Sequence, residues 1–144
     1  MERGRRSIND EALQFILEWT RRHTYYTQRL CHTVYANGNS AIGIEDVKSA
    51  CQQIMKQGEA VYLQYRQMLT DKQWDYLIAI AKEGSIQQIL SSEFLKRHKI
   101  GTPSVSRRLA DALCEKGLLN DDVTINGTTY SVNDVFMSHW MERL

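Results

Sequence analysis

The strongest constraint in this chain is a change of hydrophobic period after Gly117. Before that glycine, apolar residues recur at helical spacing. After it, Val123, Ile125, Tyr130 and Val132 alternate on either side of Asn126-Gly127. Alternation over a few residues is the pattern of a half-buried strand, and Asn-Gly between two such runs is a strong short-range hairpin signal. A two-residue turn of that kind needs positive φ at both positions, which Asn and Gly tolerate. The chain is therefore expected to be helical for most of its length and to close on a small β-hairpin. With 144 residues and one proline, Pro103, it is long enough for an ordinary core; roughly 70% of the unfolded surface is buried at this size.

The helices follow from periodicity and caps. Ser7 or Asn9 starts the first, with Leu13, Ile16 and Leu17 as its inward stripe and Ala12 and Trp19 widening it. Arg21-Arg22-His23-Thr24 reads as a tight connection. A second helix spans about Tyr25 to Asn37 and stops at Asn37-Gly38-Asn39. A long third helix runs from Ile44 to Leu69, with Gly58 as the point where it is expected to bend or break. Residues 1–69 thus form a helical unit.

Thr70 caps a fourth helix carrying Trp74, Leu77, Ile78 and Ala81, and Gly84 stops it. Ile86 to Ile89 suits a short extended segment. Ser91-Ser92-Glu93 starts a short fifth helix. Gly101-Thr102-Pro103 is a turn with a cap and a proline at the first helical position. The sixth helix, Pro103 to Lys116, is expected to turn Val105, Leu109, Ala112 and Leu113 inward. Leu118-Leu119-Asn120-Asp121-Asp122 reads as a turn, and Asn133-Asp134 caps a last helix through Phe136, Trp140 and Leu144. Three helices with a tight turn before the third, followed by a hairpin, predict a winged helix-turn-helix over residues 70–144. The fold class is mainly α: a helical lid-like subdomain followed by this winged unit with its small β-hairpin wing.

Much chemistry is excluded. Lys and Arg total 18 against 17 acids, a net charge of +1, so there is no polybasic tail. The longest apolar run, Tyr76 to Ala81, falls far short of the roughly 20 residues of a membrane helix. The charged start, Met1 to Arg6, is not followed by the apolar stretch of a signal peptide. Cys31, Cys51 and Cys114 are odd in number and far apart, so neither a disulfide framework nor a zinc pattern is expected, and a reducing cytoplasm is the simplest compartment. His23, His32, His98 and His139 form no metal-binding helical pair. No glycine precedes a lysine, so a Walker-type phosphate loop is missing, as is a G-x-S-x-G elbow. The expectation is a binding or regulatory module, not an enzyme, with no cofactor and no metal of its own.

On the sixth helix, Ser104, Arg107, Arg108, Asp111 and Glu115 are the outward positions. Lys96, Arg97 and Lys99 sit just before it, so Glu93–Arg108 holds five bases and one acid. Serine and arginine near a helix start can meet phosphates and guanine edges. Across 70–144, however, there are 9 bases and 10 acids, whereas DNA-binding domains usually carry a basic footprint. Lys96, Arg97, Lys99, Ser104, Arg107 and Arg108 are thus candidates for contact with DNA or with a protein partner.

Four stretches also carry a family resemblance. Trp19-Thr20-Arg21-Arg22-His23-Thr24-Tyr25-Tyr26-Thr27-Gln28-Arg29-Leu30-Cys31 resembles the lid motif of prokaryotic STAND-type AAA+ ATPases, especially the archaeal-type ATPase family. Leu69-Thr70-Asp71-Lys72-Gln73-Trp74 with Ala79-Ile80-Ala81, Ser104-Val105-Ser106-Arg107-Arg108-Leu109, and Tyr130-Ser131-Val132-Asn133-Asp134-Val135-Phe136 with Trp140 resemble their C-terminal winged helix. The resemblance covers residues 8–144. It implies a lid and winged helix that accompany a P-loop ATPase domain of the same parent protein, whose cofactor is ATP or ADP with Mg. Thr24 stands where the family has proline, and Arg21 and Arg22 where it has small residues. The resemblance makes Arg21, Arg22, Thr24 and Tyr25 nucleotide-facing residues, with the arginine pair directed at phosphate. The competing expectation is a stand-alone DNA-binding regulator whose first three helices dimerise.

Overall fold

The computed structural model describes residues 7–38 and 40–144. The N-terminal charged stretch and Asn39 of the Asn-Gly-Asn stop lie outside the described residues. Among the described residues seven helices and four strands follow in the order β1 (Ser7–Ile8), α1 (Asp10–Trp19), α2 (Thr24–Ala36), β2 (Ala41–Ile42), α3 (Ile44–Met68), α4 (Asp71–Glu83), α5 (Ser92–Arg97), α6 (Pro103–Glu115), β3 (Leu119–Thr124), β4 (Gly127–Val132) and α7 (Val135–Met141). The architecture is mainly helical with one antiparallel hairpin, as the periodicity predicts. Two compact units divide it, one ending at Glu59 and the other running from Ala60 to Leu144. No helix is long and apolar enough to cross a membrane among the described residues.

In the first unit Asn9 is the cap of α1, its side chain accepting from the Ala12 amide at 2.7 Å. Ala12 and Ile16 are buried, but Leu13 is 43% exposed, so the inward stripe of α1 is narrower than its apolar residues suggest. Leu30, Val34, Val47, Ala50, Ile54 and Met55 complete this core. Two short parallel strands, β1 and β2, pair Ile8 with Ile42. The α3 helix is not interrupted at Gly58. A mid-helix glycine costs only about 1 kcal/mol relative to alanine, and a helix of 25 residues with buried side chains before and after that position absorbs it.

The second unit packs α4, α5, α6 and α7 around Tyr76, Leu77, Ile80, Phe94, Leu113 and Met137. Burying each such large apolar side chain stabilises the fold by roughly 1.5–3 kcal/mol. Thr70 and Gln73 form a reciprocal capping box that fixes the start of α4. Tyr62, Trp74 and Trp140 meet ring to ring, with centroids 5.2 and 6.2 Å apart, and tie α7 to the core.

Three expectations are corrected here. Leu119 to Asp122 is strand, not turn: β3 pairs along its whole length with β4, Asp121 opposite Tyr130 and Asp122 opposite Thr129. The strand is exposed from Asn120 onward, so ladder hydrogen bonds hold it and no burial pattern marks it. The hairpin register also differs. Thr124 pairs with Gly127, leaving Ile125 and Asn126 as the turn. Only Gly127 takes positive φ, +118°. The Thr124 hydroxyl accepts from the Asn126 amide at 3.2 Å and donates to the Gly127 carbonyl at 3.1 Å, which stabilises this alternative. Finally, the buried line of α6 is Ser106, Ala110 and Leu113, with Val105, Leu109 and Ala112 half-buried at its edges. The extended segment expected near Ile86 forms a bridge to Tyr130, with N–O distances of 2.9 and 2.8 Å, and so extends the wing sheet by one rung.

Candidate functional site

The approach to α6 is built for a sharp reversal. Ser91 caps α5 by accepting from the Phe94 amide at 3.3 Å, and Phe94 and Leu95 anchor that short helix in the core. Lys99 then takes φ +54° and Gly101 φ +109°, a conformation that glycine adopts without penalty. Thr102 caps α6, accepting from the Val105 amide at 3.3 Å, and Pro103 occupies its first turn. The inner side of α6 is fastened by Ser106, which is wholly buried. Its hydroxyl donates to the Ile89 carbonyl at 2.6 Å and lies 2.9 Å from the Tyr76 hydroxyl, which therefore donates to it. Burial pushes Tyr76 up to about 12, so this phenol stays protonated and able to donate.

With Ser106 inward, the opposite face carries Ser104, Arg107, Arg108, Asp111 and Glu115, all exposed. They line an open groove of about 650 Å³ together with Leu90, which is 41% exposed. Arg107 also borders a smaller cavity of about 230 Å³ shared with Gln87, Thr128 and Tyr130, and so sits between α6 and the wing. Cys114, half-buried, is pushed up to about 11, first by burial and then by the nearby Asp121 and Asp111 carboxylates. The region around α6 is thus acidic at its C-terminal end. The wing exposes two apolar side chains near its tip, Val123 at 74% and Ile125 fully.

Two of the basic residues before α6 have other neighbours. Arg97 pairs with Glu83 at the end of α4, and His98 Nε2 donates to the same carboxylate at 3.0 Å. These partners, His98 foremost, hold the Glu83 carboxyl below the usual range against the opposing effect of its burial. Lys99 lines a separate cavity of about 280 Å³ with Lys72, Asp75 and His98. Lys96 is exposed on α5. Ser104, Arg107 and Arg108 therefore line one groove, while Arg97 pairs with Glu83 and Lys99 lines a different cavity.

The lid candidates share one turn of the first unit. Arg21 and Arg22 both adopt left-handed backbone, φ +55° and +56°. His23 stands at the cap position of α2 without a side-chain cap bond. Thr24 opens the helix, and Tyr25, 54% exposed, meets Tyr26 edge-on at 5.0 Å. Thr20, missed by sequence reasoning, is the residue that holds this turn. It is fully buried, donates to the Ile16 carbonyl at 2.7 Å and lies 2.8 Å from the Thr27 hydroxyl. A threonine beside an arginine pair gives no sequence signal of burial. Among the described residues no group of side chains could hold a metal ion.

A hairpin wing behind a capped, tightly turned third helix defines the winged helix-turn-helix class. A family model described as "Probable winged helix domain" matches residues 60–143, and the chain belongs to that family. The crystal structure of YusO protein from Bacillus subtilis is similar at 21% identity and a TM-score of 0.40, covering 69% of this chain and 76% of that one. No curated protein matches the chain.

Proposed function

We propose that this chain is a non-catalytic regulatory module whose winged helix docks a protein partner through the exposed face of α6. The observation that carries this reading is the mixed sign of that face. Arg107 and Arg108 are followed within two turns by Asp111 and Glu115, and the neighbouring strand adds exposed Asp121 and Asp122. A phosphate backbone would be repelled by the second half of the helix, whereas a protein surface of alternating charge would match it. The exposed Leu90, and Val123 and Ile125 on the wing, point the same way.

Within this reading, residues 1–69 act as the lid of a STAND-type ATPase, and a P-loop domain of the same parent protein binds ATP or ADP with Mg. Support comes from the four resembling stretches and from the turn at Arg21-Arg22. That turn places two exposed guanidinium-bearing residues at the N-terminus of α2, where helix dipole and cations both favour phosphate. Arg21 and Arg22 would face phosphate, and Thr24 and Tyr25 the remainder of the nucleotide. A nucleotide with different contacts in two lid arrangements shifts the population between them, and the winged helix reports that shift to its partner. Limited proteolysis of the full-length protein in ATP and in ADP tests the reading. The expected outcome is nucleotide-dependent cleavage near Gly58 and Gly84; an identical pattern in both nucleotides contradicts it.

A second reading, a stand-alone DNA-binding regulator, is favoured by one observation: Ser104, Arg107 and Arg108 are exposed together on the first turns of a well-capped α6.

A further inference from the structure

We propose that the partner on the α6 face is a second copy of this chain, the two helices packing antiparallel about a two-fold axis. The inference rests on the reading of that face as a protein-docking surface and names its occupant.

Charge is ordered along one face of α6. Ser104, Arg107 and Arg108 occupy its N-terminal half, Asp111 and Glu115 its C-terminal half, and all five are exposed. Such a stripe is complementary to its own reversal. An axis passing between Arg108 and Asp111 sets each Arg108 opposite the other copy's Asp111, and each Ser104 opposite the other copy's Glu115. Arg107 then lies within one helical turn of that same Glu115. A parallel pairing would instead stack arginine on arginine. Two-fold association uses one patch on both copies, so every favourable pair occurs twice. Antiparallel helix dipoles add to the preference.

Two further features fit. Among the described residues none of Arg107, Arg108, Asp111 and Glu115 is held in an ion pair within the chain, unlike Arg66, Arg97 and Glu83. Their charges remain available to an opposing surface. The groove beside them also contains the exposed Leu90 and half-buried Ala112, an apolar strip that a second helix would cover. A contact built around one helix face lies at the small end of specific interfaces, so the dimer is weak and salt-sensitive.

Sedimentation equilibrium on chain 1–144 at low salt tests this. The wild type should show a concentration-dependent monomer–dimer equilibrium that weakens as salt is added. Arg108→Asp and Asp111→Arg should each weaken self-association roughly tenfold or more, because each puts like charges opposite one another twice. An equimolar mixture of the two variants should restore association as a heterodimer, since both pairs of position 108 with position 111 across its axis are then of opposite sign. The double variant Arg108→Asp/Asp111→Arg should restore the homodimer. Circular dichroism on each variant separates lost association from lost folding, and recovery in the mixture cannot arise from an effect within one chain. A wild type that stays monomeric at low salt overturns the proposal, as does a mixture that stays monomeric. Nucleotide-dependent cleavage of the full-length protein reports on the lid and is independent of this result, so the two failures are distinguishable.

Discussion

The turns into α2 and into α6 both deliver exposed basic residues to the start of a helix, but by opposite means. The turn into α6 strains one side chain, Lys99 at φ +54°, and otherwise uses residues suited to their positions. Gly101 takes φ +109°, Thr102 caps, and Pro103 begins the helix. The turn into α2 forces Arg21 and Arg22 into left-handed backbone and leaves His23 at the cap without a side-chain bond. For a residue with a Cβ this conformation costs roughly 1–2 kcal/mol. What holds the strained turn is Thr20 beneath it, bonded to Ile16 and close to Thr27. A turn closed by glycine, a cap and proline leaves a trace in residue type even where it strains Lys99, whereas a turn imposed by a buried hydroxyl leaves almost none.

Two substitutions sharpen this comparison. The larger effect is expected at Ser106, the hydroxyl that fastens α6. Ser106→Ala leaves the Tyr76 hydroxyl and the Ile89 carbonyl without their partner in a buried site, which should lower unfolding stability by about 1–3 kcal/mol in a urea titration. The smaller effect has the opposite sign. Arg22→Gly relieves the left-handed backbone and should raise stability by about 0.5 kcal/mol, the relief being partly offset by the greater unfolded-state freedom of glycine. A loss of stability in Arg22→Gly would show that the arginine side chain, and not Thr20, maintains the turn.

The same logic explains which parts of the molecule were legible in the sequence. The caps at Asn9, Thr70, Ser91, Thr102 and Asp134 were readable because each accepts from an amide three residues on, a local interaction. The outward face of α6 was readable because periodicity fixes it once the helix begins. The first part of β3, Leu119 to Asp122, was not, since its exposed residues carry no alternation and its stability comes from pairing with a strand that follows it. Ser106 was hidden for a related reason. Its partners, Tyr76 and Ile89, lie far away in sequence, and a serine among arginines reads as surface. The basic residues at 96, 97 and 99 were grouped with α6 by proximity along the chain. In the fold Arg97 and His98 pair with Glu83 at the end of α4, and Lys99 lines a different cavity.

The claim on which the rest depends is that the face of α6 meets protein and not nucleic acid. Fluorescence anisotropy of labelled duplexes titrated with chain 1–144 tests it most directly, across a series of salt concentrations and unrelated base sequences. The account predicts weak association indifferent to base sequence, which disappears as salt rises. Tight, sequence-selective binding that persists at physiological salt and is lost in Arg107→Ala would contradict it.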